Sequence, residues 1–256
     1  MREVTVPDPL PGWLSGARHL TVLTGAGIST DSGIPDYRGP DGVWTRDPDA
    51  EKLVTLSYYV ADPEIRRKAW AMRSDSGFDA GPNAGHAALA DLERQGRLRA
   101  LLTQNVDGLH TEAGNTAVLE LHGTVRETEC LSCGDRRPMA GTVARLDAGD
   151  PDPACLVCGG ILKSATISFG QLLDPAVLEA AALAAGDCDL FLAVGTSLQV
   201  HPAAGLVDLA ASSRARVVVV VVNAEPTPYD QMADLVVREP ISSALPRLLA
   251  GPALIS

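Results

Sequence analysis

Short apolar runs alternate along the chain with longer segments whose apolar residues recur at helical spacing. Continuous apolar runs are typical of strands that are buried on both faces of a sheet. They occupy residues 20–23, 98–103, 190–194 and 217–222. The segments between them predict helices that begin after Asn83 and Asp174 and end at Arg94 and Gly186. Pro202 predicts the start of a further helix. This order of elements predicts an α/β fold with a doubly wound parallel sheet.

Two segments interrupt the alternation. Residues 40–80 are rich in charged and aromatic side chains and are predicted to be helical, and residues 128–164 contain four of the five cysteines. We expect both segments to be insertions that together form a second, smaller lobe beside the sheet.

The polar segments directly after the strands are candidate ligand sites, because ligands of such sheets bind beyond the carboxyl ends of the strands. These segments are residues 24–39, 104–110, 195–199 and 223–225. The first begins with Gly25-Ala26-Gly27, which resembles a phosphate-binding turn without the usual third glycine. Asp36 and Arg38 follow, and an arginine there is suited to bind a phosphate or a carboxylate. An ordinary strand-to-helix turn and a surface salt bridge are the alternatives.

The second polar segment clusters Gln104, Asn105 and Asp107 at one strand end. Neutral amides and a carboxylate suit hydrogen bonding to an amide or a ribose, and a turn with side-chain capping is the alternative. His122 lies between an apolar stretch and Gly123 and is the better candidate for a general base. An unperturbed imidazole pKa of about 6.5 suits proton abstraction near neutral pH. His110 lies inside the polar cluster, and both a structural and a functional role remain open for it.

The cysteines form two C-x2-C pairs with 21 residues between them. This spacing predicts one zinc ion bound by the four thiolates, and a redox dithiol is the alternative. Four protein ligands complete the coordination of zinc, so we expect a structural metal and not a catalytic one. The predicted ligands are Cys130, Cys133, Cys155 and Cys158. Cys188 is expected to be a small buried apolar side chain.

The chain has 256 residues and a formal net charge of -11. An acidic surface repels phosphate backbones and anionic lipids, so we expect no nucleic-acid and no membrane partner. No stretch approaches the roughly 18 apolar residues of a membrane helix. Residues 1–14 lack the apolar region of a signal peptide, which favours a cytoplasmic location.

The motifs in combination resemble those of the sirtuin family. "GAGIST-DSGIPDYRG", "TQNVDGLH", "LHG", the two cysteine pairs, "ISFGQLL", "VGTSLQV" and "VVNAE" occur in the sirtuin order, from about residue 15 to residue 250. The resemblance, to bacterial sirtuins, implies an NAD-dependent protein-lysine deacylase that transfers the acyl group to ADP-ribose and releases nicotinamide. It also implies a Rossmann-type NAD-binding domain of residues 1–39, 81–127 and 165–256. The helical insertion at 40–80 and the zinc-binding module at 128–164 would form the small lobe.

The resemblance also implies a role for particular residues. His122 matches the general base, with Asn105 and Asp107 at the pocket that receives nicotinamide. Phe169 and Gly170 match the loop that pairs with the acylated peptide. The implied NAD contacts are Gly25, Ala26, Gly27, Asp36, Tyr37, Arg38, Gln104, Asn105, Asp107, Gly195, Thr196, Ser197, Asn223, Glu225 and Ile241.

The chain departs from the family pattern at several positions near these sites. Tyr37 stands where phenylalanine is common, Gln171 where glutamate is common, and Leu173 where a proline is usual. Ile241 falls where a small residue that contacts adenine is frequent. The changes at Gln171 and Leu173 affect the peptide groove, so a peptide preference does not follow from the resemblance.

Acyl specificity and activity leave alternatives. Sirtuins that remove succinyl or malonyl groups carry a tyrosine and an arginine three residues apart, and here that spacing gives Trp70 and Arg73. Arg73 would then pair with an acidic acyl group, while packing and solvent-facing positions on a helix are the alternative. A mono-ADP-ribosyltransferase and a non-catalytic NAD or ADP-ribose sensor are further alternatives. The sequence does not indicate an oligomeric state.

Overall fold

The computed structural model describes residues 5–40, 42–75, 80–213 and 218–250. In this part of the chain, the strands form a parallel sheet and a smaller antiparallel sheet. The strands are β1 (Leu20–Thr24), β2 (Leu98–Thr103), β3 (Val118–Glu120), β4 (Gly123–Cys130), β5 (Arg136–Pro138), β6 (Leu162–Thr166), β7 (Leu190–Val194), β8 (Val218–Val222) and β9 (Leu235–Val237).

Helices cover both faces of the parallel sheet. Further helices form the segment of residues 43–75. The helices are α1 (Gly12–Ser15), α2 (Val43–Arg46), α3 (Leu56–Ala61), α4 (Pro63–Asp75), α5 (Ala84–Arg94), α6 (Leu109–Glu112), α7 (Met139–Asp147), α8 (Pro175–Gly186), α9 (Gly205–Ala211) and α10 (Ile241–Leu249). Short 3-10 turns occupy Ala26–Ile28, Thr30–Ser32 and Pro48–Val54.

The parallel sheet has six strands in the order β3-β2-β1-β7-β8-β9. The central strand β1 pairs with β2 on one side and with β7 on the other, so the chain reverses its direction of winding at β1. Thr24 is in register with Thr103 and with Val194, which aligns the carboxyl ends of the three strands. A crevice at this position is where a doubly wound sheet binds its ligand.

Two separate hydrophobic cores, one on each face of the parallel sheet, explain why its strands are continuously apolar. On one face, Val22 and Val220 pack with Leu89 of α5 and Leu245 of α10. The alternate strand residues face α8 and α9 on the other side, where Phe191 belongs to the second core. A strand covered on both faces has no position that must be polar, which confirms the prediction of a doubly wound parallel sheet.

Most predicted boundaries in the parallel sheet agree with the structure. The bounds of β2, β7, α5 and α8 match the prediction, and β1 extends one residue further, to Thr24. β8 begins at Val218, and residue 217, where the sequence predicted its start, lies outside the described residues. The next helix is present as predicted, but its predicted start at Pro202 was wrong, because α9 begins at Gly205. Residues 201–204 form a turn in which the Gly205 amide donates to Pro202 O at 3.0 Å.

The smaller sheet has the order β5-β4-β6, and both pairs are antiparallel. Its core contains Trp70 of α4 and Met139 of α7, together with Cys130, Cys155 and Leu162. We call β4, β5, β6, α7 and the four paired cysteines the cysteine module. In the described part of the chain, no helix is long and apolar enough to span a bilayer.

Candidate active site and metal site

A cleft of about 660 Å³ lies beyond the carboxyl ends of β1, β2, β7 and β8. This volume falls within the usual range for small-molecule sites, roughly 300–1,000 Å³. Of the residues predicted to be catalytic or to bind cofactor or substrate, Asp107 and Trp70 are not among those that line it. The predicted residues that do are Gly25, Ala26, Gly27, Asp36, Tyr37, Arg38, Arg73, Gln104, Asn105, His122, Phe169, Gly170, Gly195, Thr196, Ser197, Asn223, Glu225 and Ile241.

The glycines of the first loop pack against the loop that follows β7. A Cβ atom at Gly25 would lie 2.7 Å from Gly195 O, and one at Gly27 would lie 2.8 Å from Gly195 Cα. The Gly25 amide donates to Val194 O at 3.0 Å, and the Gly27 amide donates to Gly195 O at 2.8 Å. These glycines therefore allow two loops to meet, and any cofactor contact that they make must use atoms other than these amide hydrogens.

His122 lies between β3 and β4, where its ring faces the cleft. Its Nδ1 is 3.0 Å from Gln104 O. A carbonyl oxygen can only accept, so Nδ1 carries the proton and Nε2 keeps its lone pair. Burial lowers the pKa of His122 below its ordinary value, and the bond to Gln104 O opposes this shift. The ring is therefore neutral near pH 7, which is the form that a general base requires.

Asn105 is fixed by a network of hydrogen bonds that includes the buried Ser29. Its Nδ2 lies 3.2 Å from both Gly25 O and Ser29 Oγ. Ser29 Oγ in turn donates to Asp107 Oδ2 at 2.8 Å, and Asp107 Oδ1 accepts from Leu109 N at 2.9 Å. Asp107 thus acts on Asn105 through Ser29. The sequence reasoning missed Ser29, although its hydroxyl follows the glycine turn directly.

Gln104 connects the ends of two strands. Its Nε2 donates to Thr196 Oγ1 at 2.9 Å, and its backbone amide donates to Thr24 O at 2.9 Å. Thr196 Oγ1 also accepts from Leu198 N at 3.2 Å. The side chain therefore ties the loop after β2 to the loop after β7.

The far end of the cleft is built around Asn223, whose Nδ2 donates to Glu225 O at 2.8 Å. Arg238 Nη1 donates to Asn223 O at 2.7 Å, and the same guanidinium pairs with the buried Asp230. Ile241 begins α10 and lies beside this loop in the cleft wall. The sequence reasoning missed Arg238, because its partners come from two different segments.

An aromatic wall closes one side of the cleft. The rings of Tyr37 and Trp44 are 4.9 Å apart, and those of Trp44 and Phe169 are 5.6 Å apart. The guanidinium of Arg38 lies 4.5 Å from the centre of the Trp44 ring, which is the geometry of a cation–π contact. Asp36 Oδ1 accepts from Gly39 N at 2.8 Å and holds this loop. Trp44, which the sequence reasoning missed, joins the loop that contains Tyr37 and Arg38 to the loop that contains Phe169.

Trp70 and Arg73 have different environments. Trp70 is 2% exposed and packs in the core of the cysteine module, so the structure corrects its predicted contact with substrate. Arg73 does line the cleft, and its Nε donates to Ser164 Oγ at 3.3 Å. No carboxylate among the described residues forms an ion pair with it. Burial lowers the pKa of Arg73 from its ordinary value.

The four paired cysteines are placed to hold one metal ion. Their Sγ atoms all lie within 4.8 Å of one another. Cys130 and Cys158 are 3.5 Å apart at sulfur, and Cys133 and Cys155 are 3.7 Å apart. Tetrahedral zinc with Zn–S bonds of about 2.3 Å places its sulfurs about 3.8 Å from each other. The cluster therefore fits a structural zinc ion.

Cys188 lies outside this cluster. It is 5% exposed and packs in the second core of the parallel sheet. The expectation of a small buried apolar side chain is confirmed.

The fold and the site together define an α/β nucleotide-binding protein with an inserted cysteine module. The model of the Sir2 family matches residues 25–202. The NAD-dependent protein deacetylase 2 of Streptomyces coelicolor is 61% identical over 241 residues, which cover 93% of this chain and 99% of that protein. The NAD-dependent protein deacetylase of Sulfolobus acidocaldarius is 41% identical, with 91% and 89% covered. The chain belongs to the Sir2 family, which confirms the resemblance to sirtuins.

Solved structures agree with this assignment. A structure described as Sir2 with a p53 peptide and NAD+ is 31% identical and superposes with a TM-score of 0.82, covering 93% of this chain and 94% of that chain. A structure of Sir2 bound to an acetylated peptide is 29% identical, with a TM-score of 0.81 and the same coverage.

Proposed function

We propose that this chain is an NAD-dependent protein-lysine deacylase whose first expected substrate is an acetylated lysine. The observation that carries the proposal is His122, a partly buried neutral imidazole whose Nδ1 donates to Gln104 O while the ring lines the cleft. The names of the Streptomyces and Sulfolobus relatives, both NAD-dependent protein deacetylases, support the same activity.

The residues of the cleft suit the parts of NAD. Gly195, Thr196 and Ser197 would hold the phosphates and the adenosine ribose. Asn223, Glu225 and Ile241 would contact the adenosine, and Asn105 would receive the nicotinamide amide. NAD, when bound, supplies the ribose that accepts the acyl group and loses nicotinamide. The aromatic wall of Tyr37 and Trp44 would exclude water from that ribose.

His122 would act as the general base on the ribose. Its Nε2 carries the free lone pair, and it takes a proton from a ribose hydroxyl after nicotinamide has left. Asp107 would hold Asn105 in place through Ser29, because both contact the same hydroxyl. Asp107 is then a positioning residue for the amide and does not itself touch the cofactor.

The acylated peptide would lie at the loop that contains Phe169 and Gly170. The Phe169 amide donates to Val54 O at 2.8 Å, and Leu56 N donates to Phe169 O at 3.0 Å. These bonds fix the loop to Val54, which ends a 3-10 turn, and to Leu56, the first residue of α3. Leu172 is 91% exposed next to this loop, where it offers an apolar contact to the peptide.

The test is a deacylation assay with NAD and matched acetyl-, succinyl- and longer-acyl-lysine peptides. Nicotinamide release and peptide mass are followed together. Replacing His122→Ala should slow deacylation by about 100-fold or more, because the general base is lost. His19→Ala is the matched control, since His19 is exposed and remote from the cleft. A wild-type protein that removes no acyl group would refute the proposal. A gain in peptide mass would instead indicate ADP-ribosyl transfer, and NAD binding without turnover would indicate a sensor.

A second candidate is removal of an acidic acyl group, and Arg73 favours it. This partly buried guanidinium lines the cleft and donates a hydrogen bond to the neutral Ser164. Such a cation is suited to bind a carboxylate. We expect Arg73→Met to lower the ratio of desuccinylation to deacetylation by about tenfold, with Arg73→Lys between the two. An unchanged ratio in Arg73→Met would eliminate this candidate.

A further inference from the structure

A chain of buried hydrogen bonds runs from His110 to His122 beneath the cleft. Thr24 Oγ1 is 2.9 Å from His110 Nε2 and donates to Thr103 Oγ1 at 2.8 Å. Thr103 Oγ1 also accepts from Asn105 N at 3.0 Å. A hydroxyl has one hydrogen, so a Thr24 that donates to Thr103 must accept from His110. With this assignment, Thr103 Oγ1 accepts from Thr24 on one side and from Asn105 N on the other.

The chain ends on the peptide group between residues 104 and 105. The amide of that group belongs to Asn105 and is bound to Thr103 Oγ1. The carbonyl of the same group is Gln104 O, which accepts from Nδ1 of His122 at 3.0 Å. A peptide group whose N–H is bonded becomes a better acceptor at its carbonyl, because bonds in series polarise one another. The bonds that start from His110 and from His122 therefore meet at Thr103 Oγ1, which accepts from both Thr24 and Asn105.

Thr24 also binds the preceding peptide group, which joins Thr103 to Gln104. Its carbonyl oxygen accepts from Gln104 N at 2.9 Å, while its hydroxyl acts through Thr103. Thr24 is fully buried at the end of β1, and β1 is the centre of the parallel sheet. The orientation of the peptide therefore depends on a rigid strand and not on a surface loop.

His110 is suited to begin such a chain because it does not change its charge. The ring is 2% exposed, and burial, with a smaller effect of His86, lowers the pKa of His110 to about 3. With its proton on Nε2, His110 leaves Nδ1 as a bare acceptor, and this atom has no hydrogen-bond partner among the described residues. Burying a nitrogen lone pair without a hydrogen-bond partner costs less free energy than burying the same ring in its charged form.

We propose that His110 and Thr24 are positioning residues of His122, acting through Thr103 and the peptide group between Gln104 and Asn105. They hold Gln104 O at the place where it fixes the tautomer and the direction of the His122 ring. The inference rests on the proposed function, in which His122 acts only after nicotinamide has left.

The test separates the two halves of the proposed reaction. Exchange of labelled nicotinamide into NAD, with an acetylated peptide present, reports the step before the base acts, and peptide deacetylation reports the whole. Thr24→Val keeps the shape of the side chain and removes its hydroxyl. We expect deacetylation to fall about tenfold, the rate equivalent of one buried hydrogen bond, while exchange stays within about twofold. Thr24→Ser restores the hydroxyl and should restore the rate.

Thr21→Val is the matched control. Thr21 lies on the same strand, is fully buried, and donates its hydroxyl to Ala184 O at 2.8 Å, away from the cleft. It should lose a similar amount of stability without changing the ratio of exchange to deacetylation. If Thr24→Val does not fold, His110→Phe carries the same test at the first link of the chain.

Equal losses of exchange and deacetylation, an equal effect of Thr21→Val, or full activity of Thr24→Val would each overturn the inference. A wild-type protein without deacylase activity would overturn the proposed function itself and is seen before any variant is measured.

Discussion

The cysteine module and the cleft are built in different ways. In the cysteine module, the four predicted ligands are themselves the site, and each pair is close in sequence. In the cleft, the predicted residues come from loops after different strands, and each is held by other protein groups. Gln104 binds Thr196, and Asn105 binds Ser29. One region thus depends on a metal, and the other depends on the packing of a sheet.

Removal of zinc should produce the largest effect, and it should be confined to one region. Structural zinc contributes about 10 kcal/mol or more of apparent binding free energy, which is lost on chelation. We expect rapid hydrogen exchange in β4, β5 and β6, while β1, β7 and β8 stay protected. Hydrogen exchange with mass spectrometry before and after chelation measures this difference.

Cys155→Ser should behave like chelation, and Cys188→Ser is its control because Cys188 is buried outside the cluster. Metal analysis of the untreated protein should give about one zinc ion per chain. Clearly less than one, or an equal loss of protection in the parallel sheet, would contradict the comparison.

The cleft should be most sensitive to backbone crowding. Gly195 has a φ of 60°, and a Cβ there would lie 2.4 Å from Ile28 N. We therefore expect Gly195→Ala to lower the free energy of unfolding by about 3 kcal/mol, since both strain and a clash arise. Urea denaturation followed by circular dichroism measures the change.

Gly141→Ala is the counterpart in the cysteine module. Gly141 lies in α7, and a Cβ atom there meets nothing within 4 Å. Alanine favours a helix, so this variant should gain about 0.5 kcal/mol. A Gly195→Ala protein as stable as the wild type would show that the two loops can separate at little cost.

The sequence predicted the residues of both regions better than it predicted their contacts. The bounds of β2, β7, α5 and α8 could be predicted from the spacing of apolar residues and from helix caps. Both are local signals in the sequence. The cysteine cluster is equally local. Ser29, Trp44 and Arg238 were missed because their roles depend on partners brought together only by the fold.

Trp70 shows the same limit from the other side. It lies three residues from Arg73 on α4, and such residues share one face of a helix. The spacing therefore predicts that both side chains lie on the same face of α4, but it does not predict how deeply each is buried. The face packs on the cysteine module, where Trp70 is covered while the longer Arg73 reaches the cleft.

Acid should weaken the parallel sheet through His110. Its pKa is about 3 in the folded chain, against about 6.5 when unfolded. A lowered folded pKa means that the unfolded state binds the proton first. The stability that the neutral ring contributes is therefore complete above about pH 6.5 and is lost as the pH falls toward 3.

The expected loss is about 1.4 kcal/mol for each pH unit below the unfolded pKa. Urea denaturation at about pH 7.5 and about pH 5.5 measures it. His110→Phe removes the titrating group, so its stability should fall less over the same interval. Parallel slopes for the two proteins would show that His110 does not cause the dependence.

The smallest expected effect is that of the hydroxyl of Tyr37, the departure from the common phenylalanine. The ring contact of Tyr37 with Trp44, at 4.9 Å, does not use the hydroxyl. We expect Tyr37→Phe to keep kcat/KM for NAD within about twofold, while Tyr37→Ala loses about fivefold, the value of one aromatic pair. Steady-state kinetics with an acetylated peptide measures both. If Tyr37→Phe falls as far as Tyr37→Ala, the hydroxyl and not the ring shapes the cleft. The cleft would then depend on one polar atom of Tyr37, just as the cysteine module depends on the single sulfur atoms of its four paired cysteines.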